Sequence, residues 1–357
     1  MKPNPLHGRG ARTNASGRYE RFAREAFDDG WVGEEGTRPF ETIVTPELAK
    51  TIISTNHSPD ISFDQSINPY RGCEHGCIYC YARPNHAYVG LSPGLDFETK
   101  LFVKANAVEL LEREFAKPGY KPKTIMLGGV TDIYQPIERG YGITRGILEV
   151  MERWRHPVSL ITKSQLVIRD IDILARLAER GLTKAAISVT SLERRISRVM
   201  EPRAAAPHRR VEAIRMLADA GVPVTVMVAP IVPAINDSEI EAILDECARA
   251  GASAAGYVVL RLPLEIKDLF REWLYTHFPD RSTRVMSLVR QMRNGRDYDP
   301  EWGKRQRGEG PYAKLIADRF AAASRRLGFD KPRLTLDHTQ FRRPLEHGGQ
   351  PDLFSSE

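Results

Sequence analysis

The stretch NPYRGCEHGCIYCYA, Asn68 to Ala82, carries three of the four cysteines of this 357-residue chain, at Cys73, Cys77 and Cys80. Thiols crowded together as C-x3-C-x2-C point to a metal site rather than to a disulfide framework spread over a domain. Gly72 and Gly76 fall within the cluster, where a backbone without Cβ atoms can wrap around a compact inorganic group. Three thiolates can hold three irons of a cubane and leave the fourth open to an outside ligand. The same thiolates with His75 or His86 would also make a zinc site. Structural zinc favours a second C-x2-C or a histidine pair; no second pair follows downstream, so the spacing leans towards iron and sulfur.

The fold reads outward from this loop. A short strand at Ser66 to Tyr70 leads into it. Behind it, β-branched runs at Thr124 to Leu127, Val158 to Thr162, Ala185 to Val189, Val224 to Ala229 and Ala254 to Leu260 read as buried strands. Helical periodicity fills the intervals, as at Ile147, Val150, Met151 and Trp154, and again at Val211, Ile214, Leu217 and Ala218. Gly221 and Pro223 stop the second of these helices, and Ser238 with Glu241 has capping-box spacing at the start of the next. Such alternation predicts right-handed βαβ crossovers and a parallel sheet, with functional groups at the carboxyl ends of the strands. The expected class is α/β: a partial, TIM-like (β/α)6 barrel with a helical C-terminal extension. Residues 1–38, polar and rich in Gly and Arg, read as a flexible N-terminal tail without a role in the chemistry. Residues 39–65 read as an entry segment, 66–263 as the core and 264–357 as the basic helical extension, with helices near Leu269 to Phe278 and Tyr312 to Leu327.

On these residues the chain resembles the radical S-adenosylmethionine superfamily: CEHGCIYC matches its C-x3-C-x-aromatic-C signature, with Tyr79 in the aromatic position. The resemblance implies a [4Fe-4S] cluster on Cys73, Cys77 and Cys80 in the loop after the first barrel strand. It also implies that the open iron is chelated by the amino and carboxylate groups of S-adenosylmethionine. The reduced cluster would then cleave the sulfonium to a 5′-deoxyadenosyl radical that takes a hydrogen from substrate. A reducing donor such as flavodoxin or ferredoxin goes with that chemistry. Tyr79 would pack near the adenine, or simply cover the cluster.

Further cofactor candidates stand at strand ends. Gly128 and Gly129 close the second strand, like the family's glycine-rich stretch at the methionine amino group; a Gly-Gly is also an ordinary turn. Thr131 and Asp132 follow, with Tyr134, Gln135 and Glu138 completing a polar cluster. Lys163 and Ser164 follow the third strand, and Ser188 and Thr190 end the fourth, positions from which family members reach the carboxylate or ribose. Polar loop residues also serve to satisfy backbone groups. Arg203, in the Met200–Arg203 loop, is another basic candidate. Cys247 shares a helical face with Ile240, Ile243 and Leu244, which marks it as a packing cysteine.

The wider pattern, including DFETK at Asp96 to Lys100 and TDIYQPIE at Thr131 to Glu138, resembles the spore photoproduct lyase group, often described as DNA-repair-photolyase-like. The lyase closes its radical cycle with a cysteine beyond the motif. Here none lies between Cys80 and Cys247, a departure that tells against photoproduct cleavage. The formal charge of +6 makes nucleic acid a candidate substrate, and arginines between Arg281 and Arg343 would then meet phosphates. A non-catalytic, zinc-containing nucleic-acid-binding protein is the competing reading, but it leaves the six βα units unexplained. With no apolar run long enough to span a bilayer and no apolar leader, the expected location is cytoplasmic, away from any membrane.

Overall fold

The structure, a computed structural model, describes residues 8–20, 41–332 and 334–344. Its centre is a set of parallel strands, β1 (Gln65–Ile67), β2 (Ile125–Leu127), β3 (Val158–Thr162), β4 (Thr183–Ser188), β5 (Val224–Ile231) and β6 (Ala254–Val259). Each pairs with its successor in chain order, and Ile53–Thr55 adds to β1 as an antiparallel edge. One face of the sheet is fully buried and the other only partly, so that in β5 buried Val224, Val226 and Val228 alternate with half-buried Thr225, Met227 and Ala229. Leu160, Ile187, Val226 and Val228 are all at or below 1% exposure.

The connections are helical: α1 (Ala107–Phe115) and α2 (Ile143–Arg153), then α3 (Ile171–Glu179), α4 (Pro207–Asp219) and α5 (Ile240–Arg249). Each turns an apolar stripe onto the sheet, as with Ile147, Val150 and Met151 on α2. The chain reverses after α4 at Gly221, whose φ of 78° needs no Cβ, and the Val222 N–H closes the helix end on the Leu217 carbonyl at 2.9 Å. Three C-terminal helices follow, α6 (Ile266–His277), α7 (Pro279–Gln291) and α8 (Gly310–Arg326). The first two pack on each other and α8 packs on α5.

The sheet is open, with β6 at one edge and Ile53–Thr55 at the other. The segment before α8 lies along the β6 edge, where the Val259 N–H donates to the Gln306 carbonyl at 2.8 Å, and its Gly303 N–H and Arg305 guanidinium reach Asp60 in the loop before β1. The expected six-stranded α/β architecture is present, and no helix among the described residues is long and apolar enough to cross a membrane.

Several local expectations are corrected. The first strand ends at Ile67; Tyr70–Arg71 turns away into a separate sheet with Lys100–Lys104 and Ile43–Glu47. No capping box forms at Ser238. A 3-10 turn, Asp237–Glu239, precedes α5, and Glu239 instead accepts the Ser191 hydroxyl and the Leu192 and Glu193 N–H groups. Residues 8–20, expected within a loose tail, are packed against the protein, Ala11 completely buried; the remaining residues of that tail lie outside the described ones.

Candidate active site

The loop after β1 places Cys73, Cys77 and Cys80 at the carboxyl end of the sheet, the first two buried and Cys80 half-buried. Gly72 and Gly76 adopt φ of 75° and 65°. A Cβ at Gly72 would lie 2.5 Å from Leu101, and one at Gly76 would lie 2.6 Å from the Glu98 carboxylate. Both positions therefore require glycine, because the left-handed backbone and the tight packing exclude a side chain. Burial pushes the Cys73 thiol up, and pushes that of Cys77 up to about 12 against the opposing pull of Lys163.

The loop is held from behind by a buried ion pair. Arg83 is fully buried and donates to the Cys77 carbonyl at 2.9 Å, to Gly76 at 3.1 Å, and to Pro93 and Gly94 at 3.1 and 2.9 Å. Its remaining donor meets Glu98, also fully buried, at 2.5 Å. Glu98 in turn accepts the N–H groups of Gly10 and Ala11 at 2.9 and 2.8 Å. Residues 8–20 thus form a strap over the cysteine loop. The strap continues through the Thr13 carbonyl, which accepts the Leu95 N–H, to an ion pair of Arg18 with Glu265 just before α6.

Of the predicted site residues, Thr131 and Asp132 brace the loop rather than line an open space. The Thr131 hydroxyl donates to the Gly72 carbonyl at 2.8 Å. Asp132 is paired with His75 at 3.3 Å and accepts from the Thr162 hydroxyl and the Lys163 and Tyr134 N–H groups. Although burial acts against ionisation, His75 and these hydrogen bonds hold its carboxyl well below the usual range. Gln135 accepts the Glu74 N–H and donates to Gly72. Glu138 binds Tyr70, Thr144 and Arg169, and the buried Tyr134 ring lies under the Arg169 guanidinium, 5.9 Å from its centroid. Ser164 caps the following turn through the Leu166 N–H.

Gly128, with φ of 93°, ties β2 to β1 through the Ile67 carbonyl, and the Gly129 carbonyl accepts the Tyr81 hydroxyl. Lys163 lies over the Tyr79 ring, its ammonium 5.8 Å from the centroid. Among the described residues that ammonium has no hydrogen bond or ion pair. Burial lowers its pKa, but Cys77, Glu201 and Asp132 together outweigh this and hold it cationic. Ser188 ends β4 in the core and its carbonyl accepts from Arg210 at 3.1 Å. Thr190 donates to Glu201 at 2.6 Å.

Glu201 is the centre of a network that the sequence did not reveal. It accepts the Tyr79 hydroxyl, the Thr190 hydroxyl and the Arg210 guanidinium, all buried. Burial works against its charge, and Arg210 with Lys163 outweighs that, lowering its pKa. The signal was present in Met200–Arg203, but only Arg203 stood out there. Arg203 pairs with Glu74 at 3.0 Å and its N–H meets the His75 carbonyl, another brace on the cysteine loop. Cys247 is fully buried on the apolar face of α5, as its helical spacing indicated.

The donor set is three thiolates on one glycine-rich loop, Cys73, Cys77 and Cys80, the number a cubane with an open iron uses. Both histidines weighed as a fourth zinc ligand are engaged. His75 pairs with Asp132, and His86 bonds the Lys100 carbonyl at 2.8 Å while packing against Phe97.

A family model described as the Radical SAM superfamily matches residues 67–247, about half of the chain. An uncharacterized protein of Mycobacterium tuberculosis is 33% identical over 233 residues, 65% of this chain and 68% of its own length. An uncharacterized protein of Methanocaldococcus jannaschii is 30% identical over 175 residues, 48% of this chain and 62% of its own. Among solved structures, a spore photoproduct lyase complexed with a dinucleoside spore photoproduct superposes with a TM-score of 0.57. The match has 18% identity and covers 80% of this chain and 79% of that one. At that identity the likeness is one of fold.

Proposed function

Because this chain belongs to the radical S-adenosylmethionine superfamily, we propose that Cys73, Cys77 and Cys80 hold a [4Fe-4S] cluster whose open iron takes S-adenosylmethionine. When bound, the cluster supplies the electron that cleaves the cofactor to a 5′-deoxyadenosyl radical for hydrogen abstraction from substrate. The observation that carries the reading is a cysteine loop pinned at the carboxyl end of a parallel sheet, facing a lysine ammonium without a partner among the described residues. Cofactors that enter such sheets do so at that edge.

In this reading Lys163 binds the methionine carboxylate, and the turn at Gly128 and Gly129 lies at the methionine amino group. Tyr79, fixed by Glu201, supports the adenine and keeps the Lys163 stem in place. Ser188 and Thr190 border the ribose. Thr131 and Asp132, in the connection after β2, act as positioning residues that hold the cysteine loop. Ile78, Val232 and Leu260, buried beside Cys77 and Tyr79, keep water from the reacting centre. The core spans 66–263, with 264–357 contributing to substrate or partner binding, in the cytoplasm and with flavodoxin or ferredoxin as electron donor.

Photoproduct cleavage is not favoured as the reaction. A hydrogen-donating cysteine beyond the motif would have to be Cys247, which is sealed in the core of α5. Anaerobic reconstitution with iron and sulfide tests the cluster. Alanine at Cys73, Cys77 or Cys80 is expected to lower bound iron sharply, while His86→Gln retains it. Zinc bound in place of iron, and dependent on His86, would refute the reading.

A further inference from the structure

Residues 8–20 are held from two sides. On the cysteine side the N–H groups of Gly10 and Ala11 meet Glu98, and Arg9 donates to the Glu98 carbonyl at 2.8 Å. Asn14 donates to the Asp96 carboxylate and accepts the Asp96 N–H, both at 2.9 Å. On the other side Arg12 reaches the Thr276 hydroxyl at 2.6 Å and the Thr13 hydroxyl donates to Glu272 at 2.9 Å, both on α6, while Arg18 pairs with Glu265. The strap thus bridges the cysteine loop and the first C-terminal helix.

Almost all of this adhesion is polar. Ala11 is the strap's one buried apolar side chain, while Arg18 and Tyr19 are exposed. Hydrogen bonds that water can replace, with little apolar area behind them, let a segment detach while the core stays folded. Glu98 keeps its pair with Arg83 when the strap leaves, since that pair belongs to the core. The cover lies over one cysteine in particular. Ala11 belongs to the same buried cluster as Cys77 and Ile78, and Gly10 stands against the carbonyl of Gly76, the residue before Cys77. Cys77 is 8% exposed beneath it, whereas Cys80 is half-buried.

We propose that the strap is a gate over the cysteine loop: it lifts from Glu98 and α6 to admit iron and sulfide to Cys77, and the loaded loop holds it shut. This proposal rests on the cluster reading given above. Closure and cluster binding act on one loop, the strap gripping it at Gly76 and the cluster at the neighbouring Cys77. Two events that select the same conformation favour each other by the same factor. Through Thr13 and Arg18 the same closure ties α6 to the core, so loading of the cluster and seating of the first C-terminal helix are linked.

The test uses the full-length protein, iron-free and anaerobically reconstituted, in two measurements. Trypsin cleavage after Arg12, followed by mass spectrometry, reports lifting of the strap. It is expected to be about tenfold slower in the loaded protein, the size of an ordinary coupling between two sites. N-ethylmaleimide labelling of the iron-free protein, resolved by peptide, reports access to each thiol. Gly10→Ala should speed labelling of Cys77 about tenfold, the effect of leaving the strap's main acceptor short of its donors, and leave that of Cys80 unchanged. The double variant Thr13→Ala with Arg18→Gln loosens the α6 side alone and should speed Cys77 in the same direction, so that it decides the matter if Gly10→Ala opens both thiols by unfolding. Equal cleavage of loaded and iron-free protein, or Cys77 labelling indifferent to the double variant, overturns the gate. A protein that takes up no iron, yet labels faster at Cys77 once the strap is loosened, sinks the cluster reading and leaves the strap as the cover of Cys77.

Discussion

Gly10 lies so close to the carbonyl of Gly76 that a Cβ at position 10 would stand 1.7 Å from the oxygen. No L side chain fits there. The contact seats residues 8–20 on the cysteine loop, where the N–H groups of Gly10 and Ala11 complete the coordination of Glu98.

Gly10→Ala should therefore unseat the strap and leave Glu98 short of two donors. A loss of about 1–3 kcal/mol follows from an incompletely satisfied buried acceptor, together with faster loss of iron to a chelator. Thermal melting and iron release measure the two effects. A variant indistinguishable from the parent in both would show that the strap does not hold the loop.

Glu98→Gln removes the counter-charge of Arg83 and strands a buried guanidinium. Breaking one partner of a buried pair costs about 3–5 kcal/mol, readable as a lower urea midpoint at unchanged slope. The double variant Arg83→Met with Glu98→Met should recover part of that loss, since it leaves no unpaired charge.

Lys163→Gln should raise the Kd for S-adenosylmethionine about tenfold, the size of one charge-assisted contact, while bound iron stays at the parental level. Calorimetry against iron analysis separates the two. Equal affinity in the variant would remove Lys163 from the cofactor site.

His156 makes stability depend on pH. It is fully buried, stacked on Phe115 at 4.3 Å and bonded to Tyr120 and Pro157, and burial lowers its pKa to about 3. The unfolded chain binds a proton near pH 6.5 and the folded chain does not, so stability is full above 6.5 and falls as pH drops towards 3. Between pH 6.5 and 5 the loss attributable to this residue is about 2 kcal/mol. Urea unfolding of His156→Phe should show a correspondingly flatter pH profile than the parent.

What the sequence disclosed followed physical visibility. Val158–Thr162 is almost wholly buried and Val224–Ile231 buries every second residue, and such strands announce themselves as β-branched runs. The cysteines were legible because few structures crowd thiols at that spacing. Glu98, Arg83, Glu201 and Arg210 were not, because a charged residue in sequence looks like solvated surface and only the fold shows that each has a buried partner. The strap was misread for a related reason. Residues 8–20 dock through a glycine contact, the N–H groups of Gly10 and Ala11 and polar side chains such as Asn14 and Arg18, which leave no apolar period to read. Asp132 and Thr131, expected at the cofactor, brace the cysteine loop through Gly72 and His75.

The most direct measurement is 5′-deoxyadenosine formation by the reconstituted, reduced protein with S-adenosylmethionine, compared with Cys77→Ala. The account predicts product from the parent and none above background from the variant, whose bound iron also falls. An iron-loaded parent that releases no 5′-deoxyadenosine, or product formation that survives loss of Cys77, would contradict it.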